Sequence, residues 1–409
     1  MKRLIIVCLL VSALSTVEGN NNQTLIRTPK QGLFSIVNFP NLPCRGSKNN
    51  LNGTCISSSE CSGSGGSIQG TCAQGFGACC FYSMNTCGGT VTHNQTYLQN
   101  PGYPSSYSIS AATTCTYKFY RTSSDVCQIR LDFDAFDLGP PIDGNQKRCS
   151  GNTDLVTFTP AGAKTDGFAL CGYNPGSHIY IDMGSPAANP NFATMTMAFN
   201  AATYSAYKRY WNIMVSEIDC NTIYSAPVGC GQYYFGNGGS GVIQSFNYDN
   251  PVSDWQSKLT GFHTICIRRE KDMCTIGYAP PDVDKEEYGF ALSGSPTAPS
   301  QNTLGRNGCG YDGADNTNNN YCHTRYVYIP QGTVNLGNAP YVNSATASVT
   351  TGCDRFCHKR LCNSPTFCKD ADHDVIYSKV RPFNIRVEFL FRALLNRGYK
   401  LNYFQLPCS

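Results

Sequence analysis

The sequence predicts an all-β protein in which two related sandwich domains follow a small disulfide-stapled module. Three observations predict this class: apolar side chains that alternate with a period of two, 23 cysteines in 409 residues, and only 14% charged residues. Tyrosine and phenylalanine are abundant, with 25 and 21 residues, and glycine reaches 39. Aromatic residues favour strands, and glycine-rich polar stretches favour the turns between them.

The first 19 residues have the pattern of a secretory signal peptide. Lys2 and Arg3 precede the apolar run LIIVCLLVSAL, which is followed by small residues. The run is too short to span a bilayer, and no apolar stretch of about 18 residues follows it. We therefore expect a secreted, extracellular protein without a membrane anchor. Removing residues 1–19, with two cations and Glu18, changes the formal net charge from +4 to +3. No basic run remains, so we expect no nucleic-acid partner.

The cysteines predict a chain held by disulfides. Of the 23, Cys8 leaves with the signal peptide, and the remaining 22 predict eleven disulfides and no free thiol in an oxidising compartment. Six lie in a head, residues 20–80, which is too short to bury a real core without them. Cys79 and Cys80 should bridge to two different cysteines, because a disulfide fits poorly across one peptide bond. Sequence alone leaves fifteen connectivities of these six open.

Several segments alternate apolar and polar side chains. QIRLDF places Ile129, Leu131 and Phe133 on one face, and TMTMAFN and RYWNIMVSEIDC repeat the pattern. This period predicts strands with one buried and one solvated face, as in a β-sandwich. At FNIRVEF, residues 383–389, we predict a strand followed by a turn.

The second half of the chain repeats the first. Five segments recur in order: TCGG as GCGQ, VCQIRL as MCTIGY, VTFTPAG as VYIPQG, ALCG as RFCH, and WNIMVSEIDC as YKLNYFQLPC. Five ordered matches indicate a duplication. We therefore define domain 1 as residues 81–220 and domain 2 as residues 230–409. The linker NTIYSAPVG, residues 221–229, is short enough to restrict their relative motion.

Domain 1 resembles CUB domains. CGGTVTHNQTYLQNPGYPSSY is followed by Cys115 on a strand, and CSGNTDLVTF with ALCG matches the second cysteine pair of the family, Cys149 and Cys171. The resemblance is close for 87–220 and less close for 230–408, where long insertions occur. The CC-ending head resembles the clip-type modules of arthropod protease cascades, so the whole arrangement is similar to a secreted arthropod CUB-protein family. It implies two jelly-roll sandwiches and an extracellular binding role, without specifying a ligand.

The resemblances and the repeat imply a pairing of the cysteines. The clip-type pattern implies Cys44–Cys79, Cys55–Cys72 and Cys61–Cys80. The CUB pattern implies Cys87–Cys115 and Cys149–Cys171, with the counterparts Cys230–Cys266 and Cys322–Cys357. The repeat adds two long-range pairs, Cys127–Cys220 and Cys274–Cys408. We pair the remaining four as Cys309–Cys353 and Cys362–Cys368.

Calcium is the one cofactor that the resemblance brings in. Many CUB domains bind it through a Glu and two Asp, and Asp154 matches the middle Asp, whereas Gly139 lies near the place of the Glu. The alternative is that Asp154 holds its loop through backbone amides. In domain 2, Thr324 aligns with Asp154 and Arg325 beside it opposes a divalent ion, so we expect no calcium there. The carboxylates of DADHD, residues 370–374, are explained more simply by a solvated loop.

The sequence contains no familiar catalytic motif. The Gly-Asp-Ser-Gly segment of trypsin-like proteases and the HExxH zinc helix are missing. CDRFCHKRLC is compatible with zinc, but disulfides are favoured in a secreted chain of this kind. We therefore predict a non-enzymatic protein that binds extracellular proteins or glycans. The alternative is a non-catalytic regulatory cofactor of an extracellular serine-protease cascade, which would use the head for docking. A hydrolase with an unfamiliar site is a third hypothesis.

Three N-glycosylation acceptors, Asn22, Asn52 and Asn94, lie in the N-terminal quarter. We predict glycans on all three and none in domain 2.

Overall fold

The computed structural model of the chain describes these residues: 3–8, 34–39, 41–47, 51–139, 149, 153–163, 169–200, 207–249, 261–281, 290–292, 325–333, 353–356, 361, 375–389 and 398–408. The chain divides into two compact units. One consists of Met1–Ser83 with Asn94–Thr96 and includes the head. The other consists of Met84–His93 with Tyr97–Ser409 and includes both domains. The all-β prediction is confirmed.

The first unit contains a separate two-stranded sheet, the strands of the head and one helical turn. Its elements are β1 (Arg3–Cys8), β2 (Phe34–Phe39), β3 (Pro43–Arg45), β4 (Asn52–Ile56), α1 (Ser58–Gly63), β5 (Ser67–Cys72), a 3₁₀ turn (Ala73–Gly75) and β6 (Gly77–Met84). β1 lies in the segment assigned to the signal peptide and pairs with β2. β3, β4 and β6 lie side by side, and β5 also pairs with β6. A small core of Ile56, Cys61, Cys80 and Tyr82 fits the prediction that disulfides stabilise this region.

Domain 1 is a sandwich of two antiparallel sheets with one parallel pair. Its strands are β7 (Gly89–Val91), β8 (Thr96–Gln99), β9 (Thr113–Phe119), β10 (Val126–Asp137), β11 (Leu155–Thr159), β12 (Ala169–Leu170), β13 (His178–Asp182), β14 (Ala193–Phe199) and β15 (Tyr210–Asp219). One sheet has the order β13-β10-β15-β8, and the other β12-β11-β14-β9-β7. The predicted period of two is confirmed: Leu131 lies opposite Val215 and Phe133 opposite Ile213, and all four side chains are buried.

Domain 2 is a second sandwich. Its elements are β16 (Cys230–Tyr234), a 3₁₀ turn (Asn237–Gly239), β17 (Ser240–Gln244), β18 (Gly261–Ile267), β19 (Met273–Ala279), β20 (Phe290–Ala291), β21 (Arg325–Gly332), β22 (Cys353–Phe356), β23 (Ile376–Ser378), β24 (Asn384–Phe389) and β25 (Gly398–Pro407). The sheets have the orders β16-β18-β24-β21-β22 and β17-β25-β19-β23, and β20 pairs with β25. β24 begins one residue after the start of the predicted strand. Residues 390–397, where a turn was expected, lie outside the described residues.

The two sandwiches share a frame. In both, the first strand runs parallel to the strand that carries the next cysteine: β7 beside β9, and β16 beside β18. In both, an early strand pairs antiparallel with the last strand, β10 with β15 and β19 with β25, and a register shift interrupts each pair near its start. These common features are what a duplicated sequence predicts.

Candidate functional site

Asp154 lies immediately before β11, and its buried carboxylate receives four hydrogen bonds. The backbone N of Gly139 and Nε of Arg209 donate to Oδ2 at 2.9 and 2.7 Å. The backbone N of Asn200 and Nη2 of Arg209 donate to Oδ1 at 3.0 and 2.9 Å. The structure therefore shows the backbone-amide contacts of the alternative interpretation, together with an ion pair that the sequence did not indicate. Calcium binding at Asp154 stays a prediction, and these contacts oppose it.

Arg209 connects several segments at this end of domain 1. Its side chain is fully buried, its Nη1 donates to the backbone O of Tyr207 at 3.3 Å, and its guanidinium lies 5.2 Å from the ring of Phe199. Next to it, the Tyr207 hydroxyl donates to Asp137 Oδ1 at 2.6 Å, and burial raises the pKa of Asp137. Asp137 belongs to FDLGPP, the segment in which a calcium-binding Glu was expected.

The remaining metal predictions lie elsewhere. Arg325 begins β21, while Thr324 and residues 370–374 are outside the described residues. Among the residues that are described, no group of three or more His, Cys, Asp or Glu side chains is arranged to hold a metal ion.

The structure joins many of the cysteines in the pairs that the resemblances and the repeat imply. Eight disulfides are formed within the described part of the chain: Cys44–Cys79, Cys55–Cys72, Cys61–Cys80, Cys87–Cys115, Cys127–Cys220, Cys149–Cys171, Cys230–Cys266 and Cys274–Cys408. The predicted pairs Cys322–Cys357, Cys309–Cys353 and Cys362–Cys368 lie outside it, since the structure describes only the backbone of Cys353.

The glycosylation acceptors differ in exposure. Asn52 is exposed at the start of β4, and Asn94 is half-buried with its Oδ1 accepting a hydrogen bond from the backbone N of Gln95 at 2.8 Å. Asn22 lies outside the described residues. Glycosylation of all three stays a prediction.

The linker between the domains, residues 221–229, is held in place as a junction loop. Ala226 at its centre is buried, its N donates to Gln128 Oε1 at 2.8 Å, and Gln128 Nε2 donates back to its O at 3.0 Å. The Tyr180 hydroxyl donates to the backbone O of Tyr224 at 3.3 Å. Restricted motion between the domains stays a prediction, and these hydrogen bonds support it in addition to the short linker.

Buried polar contacts also join the two sandwiches directly. The backbone N of Tyr233 donates to Nε2 of His178 at 3.1 Å, and burial, with the nearby Arg130 charge, lowers the pKa of His178 to about 3. A neutral imidazole is what this acceptor role requires. Asn247 of domain 2 makes a second contact with domain 1. Its Oδ1 accepts a hydrogen bond from the backbone N of Tyr173 at 2.7 Å, and its Nδ2 donates to the Cys171 carbonyl at 2.9 Å.

An aromatic and guanidinium cluster borders the junction loop. The ring of Phe235 lies 5.3 Å from that of Tyr224, and the guanidiniums of Arg130 and Arg268 lie 5.7 and 5.4 Å from Phe235. Each arginine has its own carboxylate, Asp132 at 2.6 Å and Glu270 at 2.9 Å. The cluster therefore combines aromatic surface with balanced charge. The sequence does not reveal this cluster, because its members come from both domains.

No helix in the described ranges is long and apolar enough to cross a membrane.

Comparison with protein families matches residues 227–406 to the animal CUB domain. The match falls on domain 2, the half in which the sequence resemblance was less close. No curated protein matches the chain.

Comparison with solved structures gives two matches of low overall similarity. The CUB1-EGF-CUB2 domains of rat MASP-1 show 14% identity over 79% of this chain and 99% of that chain, with a TM-score of 0.22. The CUB1-EGF-CUB2 domain of human MASP-1/3 shows 16% identity over 76% and 98%, with a TM-score of 0.21. CUB domains are non-catalytic interaction modules typical of extracellular proteins. The family match itself rests on residues 227–406, which are similar to the animal CUB domain.

Proposed function

We propose that the chain is a secreted, non-enzymatic binding protein whose junction loop contacts an extracellular protein. The observation that carries this proposal is an unusual exposure of apolar side chains on a loop that is held at both ends. Ile223 is 62% exposed, Tyr224 50% and Val228 93%. Isolated exposed apolar residues are common, but several on one short loop indicate an interaction surface.

The loop is organised before any partner binds. Cys220 and Cys230 flank it, and each is bonded to a strand of its own domain, through Cys127 and Cys266. Gln128 holds its centre through two hydrogen bonds. Little conformational entropy is then lost on binding, which favours affinity.

The chemistry of the loop suits an uncharged, apolar pocket on a protein. NTIYSAPVG has no charged residue, and the neighbouring Arg130 and Arg268 are neutralised by their carboxylates. Tyrosine and arginine are enriched among residues that dominate binding energy in protein interfaces. Ile223 and Val228 add aliphatic surface, which matches a protein pocket better than a glycan.

Photocrosslinking tests the proposal. A photoreactive residue is placed at position 224 of the full chain, and a matched control at Val242, which is 45% exposed on β17. In extracellular fluid, we expect one protein to crosslink from position 224 and not from 242. Its affinity for the purified full chain should fall at least tenfold with Tyr224→Ala plus Val228→Ser, about 1.4 kcal/mol, and stay unchanged with Val242→Ala.

Equal crosslinking from both positions, or equal affinity of all variants, would reject the junction loop as the site. If the ligand is a glycan whose affinity for the full chain is unchanged by Tyr224→Ala, the proposal of a protein partner is rejected. The protease-cascade cofactor stays the alternative, and a protease zymogen that crosslinks through the head would favour it.

A further inference from the structure

We propose that Arg209 supplies, as part of the chain, the positive charge that a calcium ion would supply at Asp154. The loop end of domain 1 is then independent of calcium. The resemblance to CUB domains marks Asp154 as a calcium ligand, and its contacts show whether an ion fits there.

The Asp154 carboxylate has no acceptor position to spare. An ionised carboxylate offers about four lone-pair sites, two on each oxygen. In this chain, each oxygen already accepts two N–H donors at 2.7–3.0 Å. Calcium takes about six to eight oxygen ligands at about 2.3–2.6 Å, so an ion would have to displace the guanidinium and both amides.

Charge opposes the ion as well. The side chains of Asp154 and Arg209 are both 0% exposed, so they form a buried pair with no net charge. A divalent cation beside Arg209 would add repulsion in a region that water does not screen.

Arg209 also performs the mechanical role of a bound ion. Its guanidinium reaches Asp154 and the Tyr207 carbonyl, and through Asp154 it is linked to the amides of Gly139 and Asn200. These groups follow β10 and β14 or precede β11 and β15, so a single side chain joins the ends of strands from both sheets. The Arg209 guanidinium, which is covalently attached to the chain, therefore takes the place of a calcium ion shared by these loops.

The test follows calcium in solutions of the full chain. We expect the midpoint of thermal unfolding to be the same in excess calcium and in excess chelator, and titration to show no binding that depends on Asp154. The matched control is the double variant Asp154→Leu with Arg209→Met, because an apolar pair of similar volume often replaces a buried ion pair without loss of stability. It should unfold at a higher temperature than Arg209→Met alone but below the wild type, because Asp154→Leu leaves the N–H groups of Gly139 and Asn200 without their acceptor.

A calcium response that persists in the double variant, or in Asp154→Asn if the double variant does not fold, arises elsewhere and agrees with the proposal. A response of the wild type that disappears in either variant overturns it.

Discussion

The two sandwiches have a common frame, and the clearest difference between their interiors is the buried charged pair of domain 1. In domain 1, the charged pair Asp154 and Arg209 is fully buried and has hydrogen bonds to every carboxylate oxygen. In domain 2, Tyr278 and Tyr399 are fully buried, and their hydroxyls have no hydrogen-bond partner within the residues that the structure describes. Burial raises the pKa of both tyrosines, so they stay neutral.

This difference shows how far two copies of one frame can diverge in the energetics of their interiors. A buried charge is tolerated when all its partners are present, and then each partner is indispensable. A buried hydroxyl without a partner carries a smaller penalty, and its removal costs little. In the register of the repeat, Trp211 matches Tyr399 and Arg209 matches Arg397, while Thr324 takes the place of Asp154. The register of the repeat therefore predicts no carboxylate at the domain 2 position that corresponds to Asp154.

The largest expected effect is the loss of the buried pair in domain 1. Arg209→Met leaves Asp154 as an unpaired buried charge and should lower the free energy of unfolding by about 3–5 kcal/mol. Arg386→Met in domain 2 is the control, because Arg386 is 47% exposed and lies 3.6 Å from Glu388. Exposed pairs of this kind contribute about 0–1 kcal/mol. Denaturant unfolding measures both, and equal losses would remove the contrast between the domains.

An intermediate effect is expected from pH at the junction. Burial lowers the pKa of His178 to about 3, whereas an unfolded histidine titrates near 6.5. Between these values the unfolded state binds more protons, so stability should fall as the pH falls, by roughly 1.4 kcal/mol per pH unit, and should not depend on this group above pH 6.5. His263, within domain 2, has its pKa lowered to about 3 by burial alone.

His178→Gln keeps an acceptor for the Tyr233 N–H and should remove one proton's share of this dependence, about 2 kcal/mol at pH 4.5 relative to pH 6.5. Unfolding curves of the wild type and His178→Gln from pH 4 to 8 measure the effect. If the stability of the two proteins depends on pH in the same way, His178 has the same pKa in the folded and the unfolded chain, and the prediction is wrong.

The sequence predicts the frame well because strand signals are local. Ile129, Leu131 and Phe133 reveal the buried face of β10 by their spacing alone. The start of helix α1 also has a local sequence signal. Ser57 and Glu60 form the S-x-x-E pattern of a helix start, and the Ser57 side chain caps the helix.

The candidate site was less accessible because its contacts are distant in sequence. Arg209 and Asp154 are 55 positions apart, and Lys208-Arg209 reads as a solvated pair of charges before a strand. Gln128 and Ala226 are 98 positions apart and belong to different segments of the predicted architecture. No periodicity marks such partners, because they are determined by how the loops meet after the sheets have formed.

The smallest effect concerns single hydroxyl groups. Tyr278→Phe removes a buried hydroxyl that has no partner within the described residues, so the free energy of unfolding should stay the same or rise slightly. Tyr117→Phe in domain 1 is the matched control, because Tyr117 is equally buried and its hydroxyl donates to the Thr86 carbonyl at 2.7 Å. That variant should lose about 1 kcal/mol.

Each substitution removes only the hydroxyl group and leaves the aromatic ring in its own packing. The difference between the two losses of stability therefore reports the hydrogen bond. Denaturant unfolding of the full chain gives both values under one set of conditions. A loss at Tyr278 as large as that at Tyr117 would mean that the Tyr278 hydroxyl is bonded in solution, for example to an internal water molecule. The contrast between the two interiors would then be limited to the buried charged pair of domain 1.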